Sequence, residues 1–430
     1  MKAERKNIII AGGGFGGITA ALHLNRAFKR SLDLRNTYSI VLVNNSHSHL
    51  YTPALYEIAA IPRGGHGLQY VKSSITIPLT DIFHNTHVKW KENAIVNIDR
   101  QTRTLTLENG KALNYEYLIL ALGSETNYFE TPGAKEYSFP LKTFNDAVRL
   151  RDRIQMAIES EKSPIRIAIA GAGASGVEVA AELENFICSL RVQYHVGKVC
   201  RMQIMLLEGS PEILGGFDAW VVKKARERLA NIGVTIKTGA LITAVSKDKI
   251  TLKDNTSLSY DILIWAGGVK AASVLTTMGL TLSPKNSVPV NEFLEVEPRI
   301  YAIGDNAMFV NSDTGKPLPW NVPIAEAEAR VAAKNVLADI NQSKKETFRP
   351  WKKYPFILAV GRKYAIADLI YIRASGVIAW GLKLLVELRY LVFILPLASA
   401  LAIWRKYVTV ARSNDEKVEI IGAHTDQEVE

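Results

Sequence analysis

The sequence predicts an α/β architecture of two parallel-sheet units followed by an amphipathic helical region, and three observations carry it. Two glycine runs each directly follow a short apolar segment: Gly12-Gly13-Gly14-Phe15-Gly16-Gly17 after residues 7–11, and Gly171-Ala172-Gly173-Ala174-Ser175-Gly176 after residues 166–170. Each run precedes a helical pattern, at residues 18–28 and 177–186. The third observation is a change of composition after residue 346. An apolar run that ends in glycine and then turns helical reads as a buried parallel strand, a tight turn and a crossover helix. In a G-x-G-x-x-G turn the first glycine permits the bend and the second lets backbone approach a pyrophosphate. The third lets helix pack close on strand. The helix N-terminus then offers free N–H groups and partial positive charge to phosphates. One such match is weak, but two in this setting predict two Rossmann-like dinucleotide-binding domains.

Bulk properties agree. A chain of 430 residues exceeds one ordinary core, and 48% hydrophobic with 22% charged residues is the composition of a folded protein. The net charge of +10 suits an anionic partner, whether nucleic acid, an acidic membrane surface or anionic cofactors. No basic block with interleaved aromatics and no zinc or helix-turn-helix spacing occurs, which argues against nucleic acid and against a metal site. The N-terminus reads as a strand flowing into the glycine turn rather than as a signal peptide. Cys188 and Cys200 are the only cysteines and lack C-x-x-C spacing, so they read as structural thiols of a reducing compartment.

Along the chain, residues 1–145 form the first part of one domain. Strands are expected at 38–44, 94–98, 104–107 and 117–122, with Glu108-Asn109-Gly110 as a hairpin turn. The strand-end position that normally carries a ribose-binding acid is Asn44, a neutral amide that makes a weaker contact. Residues 146–288 form the second domain. Its strands are expected at 202–207, 234–238 and 262–266, with a helix at 219–232 and a strand-end acid at Glu208. Residues 289–345 return to the first domain through a strand at 299–303 that ends in Gly304-Asp305, then a helix at 324–340.

Residues 346–412 are rich in Leu, Ile, Val, Ala and Trp. The uninterrupted apolar run 390–404 contains Pro396 and is too short to span a bilayer. Lys383, Glu387, Arg389, Arg405, Lys406 and Arg412 punctuate or flank it, with Trp380, Tyr390, Trp404 and Tyr407 among them. Such a pattern describes helices lying in a membrane interface, or a helical dimerisation element, and the two are compatible. Residues 413–430 are expected to form a disordered tail.

In order, the chain carries the first glycine turn, His49-Leu50-Tyr51-Thr52-Pro53-Ala54-Leu55-Tyr56, and Tyr117-Leu118-Ile119-Leu120-Ala121-Leu122-Gly123-Ser124. The second glycine turn follows with Val177-Glu178, then Ile264-Trp265-Ala266-Gly267-Gly268-Val269, then Tyr301-Ala302-Ile303-Gly304-Asp305. This order resembles the type II NADH dehydrogenases, the single-subunit, non-proton-pumping NADH:quinone oxidoreductases among the two-dinucleotide-binding-domain flavoproteins. The resemblance covers about residues 6–410. It implies non-covalent FAD in the first domain. Gly12, Gly14, Phe15 and Gly17 would face the pyrophosphate, Asn44 the ribose and Ile95 the adenine. Gly123, Gly304 and Asp305 would complete that seat. Asn44 departs from the acid usual in this family.

The resemblance further implies NADH on Gly171, Gly173, Gly176 and Gly268, with Glu208 on the ribose 2′-hydroxyl, where it would repel a 2′-phosphate. The lesser alternative for Glu208 is a solvated strand-end acid. Its distance from Gly171 exceeds the usual spacing of about 20 residues, which an insertion at 186–201 explains. Glu178 matches the residue that faces the nicotinamide–flavin junction and is the candidate catalytic side chain, or else it simply supports the first helical turn. Ala327 and Glu328 stand where this family commonly has glutamines near quinone. Glu328 either contacts or protonates a quinone, or pairs with Arg330 or Lys334. Lys363 is a second quinone-site candidate. A homodimer bound peripherally to membrane lipids is implied, on the cytoplasmic face of the cell membrane or the matrix face of the mitochondrial inner membrane.

The rival readings differ in what they need. Sulfide:quinone oxidoreductases need redox cysteines near the flavin and disulfide reductases a C-x-x-x-x-C after the first turn; neither is present. An oxidase or reductase with a soluble acceptor leaves the apolar C-terminal region unexplained. A non-catalytic NADH-binding flavoprotein at the membrane is the rival of a different class, and both glycine turns and Glu178 being intact argue against such degeneration.

Overall fold

A computed structural model describes residues 5–61, 67–160, 164–193 and 202–425, with backbone alone at 185, 187–193 and 413–425. The chain divides into two compact units, residues 1–49, 76–125 and 269–354 in one and 50–75, 126–268 and 355–430 in the other. The crossings therefore fall at 125/126, 268/269 and 354/355, and residues 50–75 join the second unit rather than the first. The C-terminal region is part of the second unit's core and not a separate layer.

The first unit is built on a six-stranded sheet in the order Glu295–Glu297, Ile300–Ala302, Tyr117–Leu120, Lys6–Ala11, Tyr38–Asn44, Val88–Glu92. All neighbours are parallel except the first pair. The continuous apolar strands are buried on both faces, with Ile8, Ile9, Ile10, Ile40 and Leu42 fully enclosed. In register, Ala11 lies opposite Val43 and Leu120, and Leu120 opposite Ala302. The Gly12, Asn44, Ala121 and Gly304 segments consequently emerge at one carboxyl edge. Helices Phe15–Arg30 and Val322–Ile340 pack on each other beside this sheet. The hairpin turn expected at Glu108-Asn109-Gly110 joins strands Thr104–Leu107 and Ala112–Asn114, with Gly110 at φ +78°.

The second unit has a five-stranded parallel sheet in the order Phe139–Pro140, Ile262–Trp265, Ile165–Ala170, Met202–Leu207, Thr235–Lys237. Helix Phe144–Glu159 occupies a stretch for which no helix was expected. It starts at a capping box, in which Thr143 Oγ1 accepts from Asp146 N at 3.1 Å and Asp146 Oδ2 accepts from Thr143 N at 2.9 Å. Helix Ala174–Gln193 continues beyond residue 186, into the expected insertion. The Cys188 side chain and Cys200 lie outside the described residues.

The C-terminal stretch also differs from its reading as helices alone. It begins with an antiparallel sheet, Phe356–Ala359, Ala365–Asp368 and Arg373–Gly376. Helices Val377–Ile394 and Leu397–Thr425 follow, parted at Pro396, with Leu395 extended before it as a residue preceding proline prefers. The second helix runs to Thr425, past residue 413 where a tail was expected to begin. Among the described residues no helix is long and apolar enough to cross a membrane.

Helix Val377–Ile394 buries two charges among its apolar contacts Ala379, Leu384, Leu391 and Ile394. Lys383 and Glu387 are buried, while Ile378, Leu385, Val386 and Val392 are exposed, Ile378 at 73%. Lys383 Nζ lies 2.8 Å from Glu57 Oε1 and 2.9 Å from Glu387 Oε1. Glu57 Oε1 also accepts from the Tyr407 hydroxyl at 2.6 Å and the Tyr56 hydroxyl at 3.0 Å. Burial alone disfavours the Lys383 ammonium, but the two carboxylates outweigh it and raise its pKa. Burial also lifts the Glu387 carboxyl to about 7 against the pull of Lys383. One ammonium thus ties the short helix Leu55–Ala59 to both C-terminal helices. Removing one partner of a buried pair costs on the order of 3–5 kcal/mol, whereas removing all members is far cheaper. Lys383→Met is therefore expected to lose about that much in denaturant unfolding, and Lys383→Met with Glu57→Gln and Glu387→Gln to recover most of it; a single variant as stable as the parent would contradict this.

Candidate functional site

At the carboxyl edge of the first sheet, Gly12 N donates to Val43 O at 2.7 Å and Gly12 has φ +112°. A β-carbon on Gly12 would fall on the Ala121 carbonyl oxygen, and one on Gly17 on the Gly12 carbonyl oxygen. Gly14 faces open space, with no atom within 4 Å of such a carbon. Asn44 Oδ1 accepts from Gly13 N at 2.9 Å while its amide donates to Ser46 O at 2.8 Å, so the residue braces the turn from beneath. His49, fully buried, donates from Nδ1 to Gly13 O at 2.9 Å and meets the Phe15 ring edge-on at 4.9 Å. Burial lowers its pKa to about 4, so it is a neutral brace at physiological pH.

The same edge carries the Gly304–Asn306 turn, where Gly304 has φ +61°. Asn306 bridges to the neighbouring segment, accepting from Leu122 N at 2.5 Å and donating to Gly123 O at 2.7 Å. Asp305 accepts from the Ser124 hydroxyl. Asn93 N donates to Asn44 O at 2.8 Å, and Asn93 Oδ1 is buried without a hydrogen-bond partner among the described residues. Ile95 lies two residues on, buried in strand Ile95–Asp99. Neither His49 nor Asn93 was singled out as a binding residue from the sequence. A histidine in the segment that opens the motif His49–Tyr56 was the available signal for the first; nothing marked the second.

The second unit repeats the design with one chemical change. Gly171 N donates to Leu207 O at 2.7 Å, and Gly171 has φ +96°. A β-carbon on Gly176 would fall on the Gly171 carbonyl oxygen, while Gly173 faces open space. Glu208 takes the place of Asn44. Its Oε2 accepts from Ala172 N at 2.8 Å and its Oε1 from Ser210 N at 2.9 Å. At the adjoining strand end, Gly268 has φ +151° and its O accepts from Asn127 N at 3.0 Å.

Glu178 stands just past the first turn of helix Ala174–Gln193 and keeps part of its surface open. Burial pushes its pKa up to about 8, against the opposing Lys383 charge and a hydrogen bond from the Ala359 backbone, and with help from Glu57 and Glu387. The cation coupled to Glu178 is therefore Lys383, which had been read as a helix flank. Lys363 lies in the turn after Gly361, a residue whose β-carbon would stand 2.6 Å from Ala181 O.

Glu328 is buried in the first unit. It takes neither of the pairings foreseen: Arg330 pairs with Glu326 at 3.3 Å and Lys334 with Glu346 at 2.7 Å. Glu328 Oε2 instead accepts from Gly304 N at 2.6 Å. Ala327 beside it is half-buried. Among the described residues no group of His, Cys, Asp and Glu could hold a metal ion.

The model of the pyridine nucleotide-disulphide oxidoreductases matches residues 6–329. A type II NADH:quinone oxidoreductase of Haemophilus influenzae is 26% identical over 80% of this chain and 83% of its own length. One from Mycobacterium tuberculosis is 26% identical over 90% and 85%. The demethylphylloquinone reductase of Synechocystis is 26% identical over 87% and 90%. Among solved structures, NDH2 of Plasmodium falciparum in complex with NADH shares the fold at TM-score 0.78 and 20% identity, over 94% of this chain and 98% of that one. The sulfide:quinone oxidoreductase of Aquifex aeolicus does so at TM-score 0.74 and 19% identity, over 97% and 95%. With three quarters of its length matched by one family model and two glycine seats of the required geometry, the chain belongs to the pyridine nucleotide-disulphide oxidoreductase family.

Proposed function

We propose that this chain is an FAD-dependent NADH:quinone oxidoreductase of the type II, non-proton-pumping kind. The observation that carries the reading is the inequality of the two seats: Asn44 braces the first turn with a neutral amide, Glu208 the second with a carboxylate. The first unit fits FAD on its own residues, since open space faces Gly14 and the buried Asn93 Oδ1 lacks a partner among the described residues. Gly12, Gly14, Phe15 and Gly17 would hold the pyrophosphate, with Asn44, Ile95, Gly123, Gly304 and Asp305 around it. When bound, the flavin supplies the two-electron chemistry that accepts hydride from NADH and passes electrons on to quinone.

Gly171, Gly173, Gly176 and Gly268 would seat NADH, and Glu208 would take a ribose hydroxyl while repelling a 2′-phosphate. Glu178, held largely protonated near pH 7, is the side chain that tunes the hydride step. The outward apolar face of Ile378, Leu385, Val386 and Val392 supports peripheral attachment to the membrane that carries the quinone. That attachment is proposed for the cytoplasmic or matrix face, with the chain as a homodimer. The quinone would be met near Ala327 or Lys363, and a soluble acceptor gives that apolar face no purpose.

Three outcomes test this. Anaerobic NADH bleaches the flavin absorbance and a short-chain quinone restores it; colour that persists on NADH overturns the dehydrogenase reading, and bleaching that quinone cannot reverse overturns the acceptor. Gly17→Ala purifies without flavin, whereas Gly176→Ala keeps flavin and loses at least tenfold in reduction by NADH. Identical behaviour of the two variants contradicts the assignment of seats. Ile378→Asp with Leu385→Asp abolishes co-sedimentation with anionic lipid vesicles and spares NADH-to-dye activity; undiminished vesicle binding removes the membrane role from this face.

A further inference from the structure

Glu328 lies on helix Val322–Ile340, only 2% exposed, and its Oε2 accepts the Gly304 N–H at 2.6 Å. Among the described residues that N–H is its one hydrogen-bond partner. The charged and titratable groups around it are few. Asp305 on the adjoining turn is negative and tied to Ser124; Tyr354 feels the Glu328 charge; Arg330 and Lys334 on the same helix are taken by Glu326 and Glu346. A buried carboxyl facing another carboxyl, with no cation of its own, is stable as the neutral acid. In that form it still offers a carbonyl oxygen to Gly304. The turn it holds is left-handed at Gly304 and presents Asp305 at the carboxyl edge of the sheet.

We propose that Glu328 is a positioning residue of the flavin seat, which as a neutral acid holds the Gly304–Asp305 turn, and whose ionisation loosens FAD. The inference rests on the FAD reading above. Ionisation would place a second negative charge beside Asp305, at an edge meant for a diphosphate. Burial and Asp305 raise the Glu328 pKa to about 8 against the Gly304 hydrogen bond, so the change falls within reach of experiment. The acid ionises near its ordinary value when unfolded and near 8 when folded. Its contribution to stability is therefore complete at acid pH and is lost as pH rises towards 8. Glutamine keeps the carbonyl and cannot ionise, so Glu328→Gln is expected to raise the melting temperature above the parent's at pH 8.5 and to match it at pH 5.

The direct test is the rate of FAD release from the holoenzyme, read as recovery of flavin fluorescence from pH 6 to 10. The parent is expected to release FAD faster above about pH 8, by no more than tenfold per pH unit for one proton. Glu328→Gln removes that step and stays slow, while Glu328→Ala, lacking the anchor, is fast throughout. Superimposable profiles of the parent and Glu328→Gln, with FAD bound in both, overturn this inference alone. Protein that holds no FAD at any pH overturns the FAD reading and this inference with it.

Discussion

Both nucleotide edges depend on one steric constraint: the carbonyl of each turn's first glycine occupies the place where a β-carbon on the third would stand. Gly12 and Gly17 share this geometry with Gly171 and Gly176, and it brings each helix hard against its strand. Close approach directs the first N–H groups of the helix along the sheet edge, where they have no partner within the helix. The rest of each seat is arranged around that fixed turn. Asn44 and His49 brace the first from below, and Glu208 braces the second. Substituting a carboxylate for an amide at one matching position is enough to give the seats different electrostatics.

A second constraint acts at the C-terminal end of the second unit. The helix that buries Lys383 and Glu387 beside Leu384, Leu391 and Ile394 also exposes Ile378, Leu385, Val386 and Val392, so core charge and exposed apolar surface share one element. The buried cluster also sets the field at Glu178, because Lys383 opposes and Glu57 and Glu387 reinforce the effect of burial on its carboxyl. The exposed apolar face and the ammonium that acts on Glu178 thus lie on one helix, Val377–Ile394.

The glycine turns, the strands that feed them and the helices that follow were legible because their signals are local: apolar runs, glycine spacing and 3.6-residue periodicity. Helix Phe144–Glu159 escaped notice although Thr143 and Asp146 form a capping box that was there to be read. Lys383 was read as a flanking charge because its partner Glu57 lies more than three hundred residues away, and no window on the sequence joins them; Glu387, one turn on from Lys383, is buried with it. Glu328 falls on the helix expected at 324–340, but its bond to Gly304 depends on how that helix packs beside the sheet. Local chemistry was readable from the chain; pairings made across the fold were not.

The two seats are expected to differ in that one keeps its nucleotide and the other exchanges it. Equilibrium dialysis of the purified protein, followed by quantification of every nucleotide bound per chain, measures this directly. One FAD retained per chain after dialysis, with NADH bound reversibly at one further site and NADPH at least tenfold more weakly, is the predicted result. Two retained flavins, no retained flavin, or equal affinity for NADPH would contradict it.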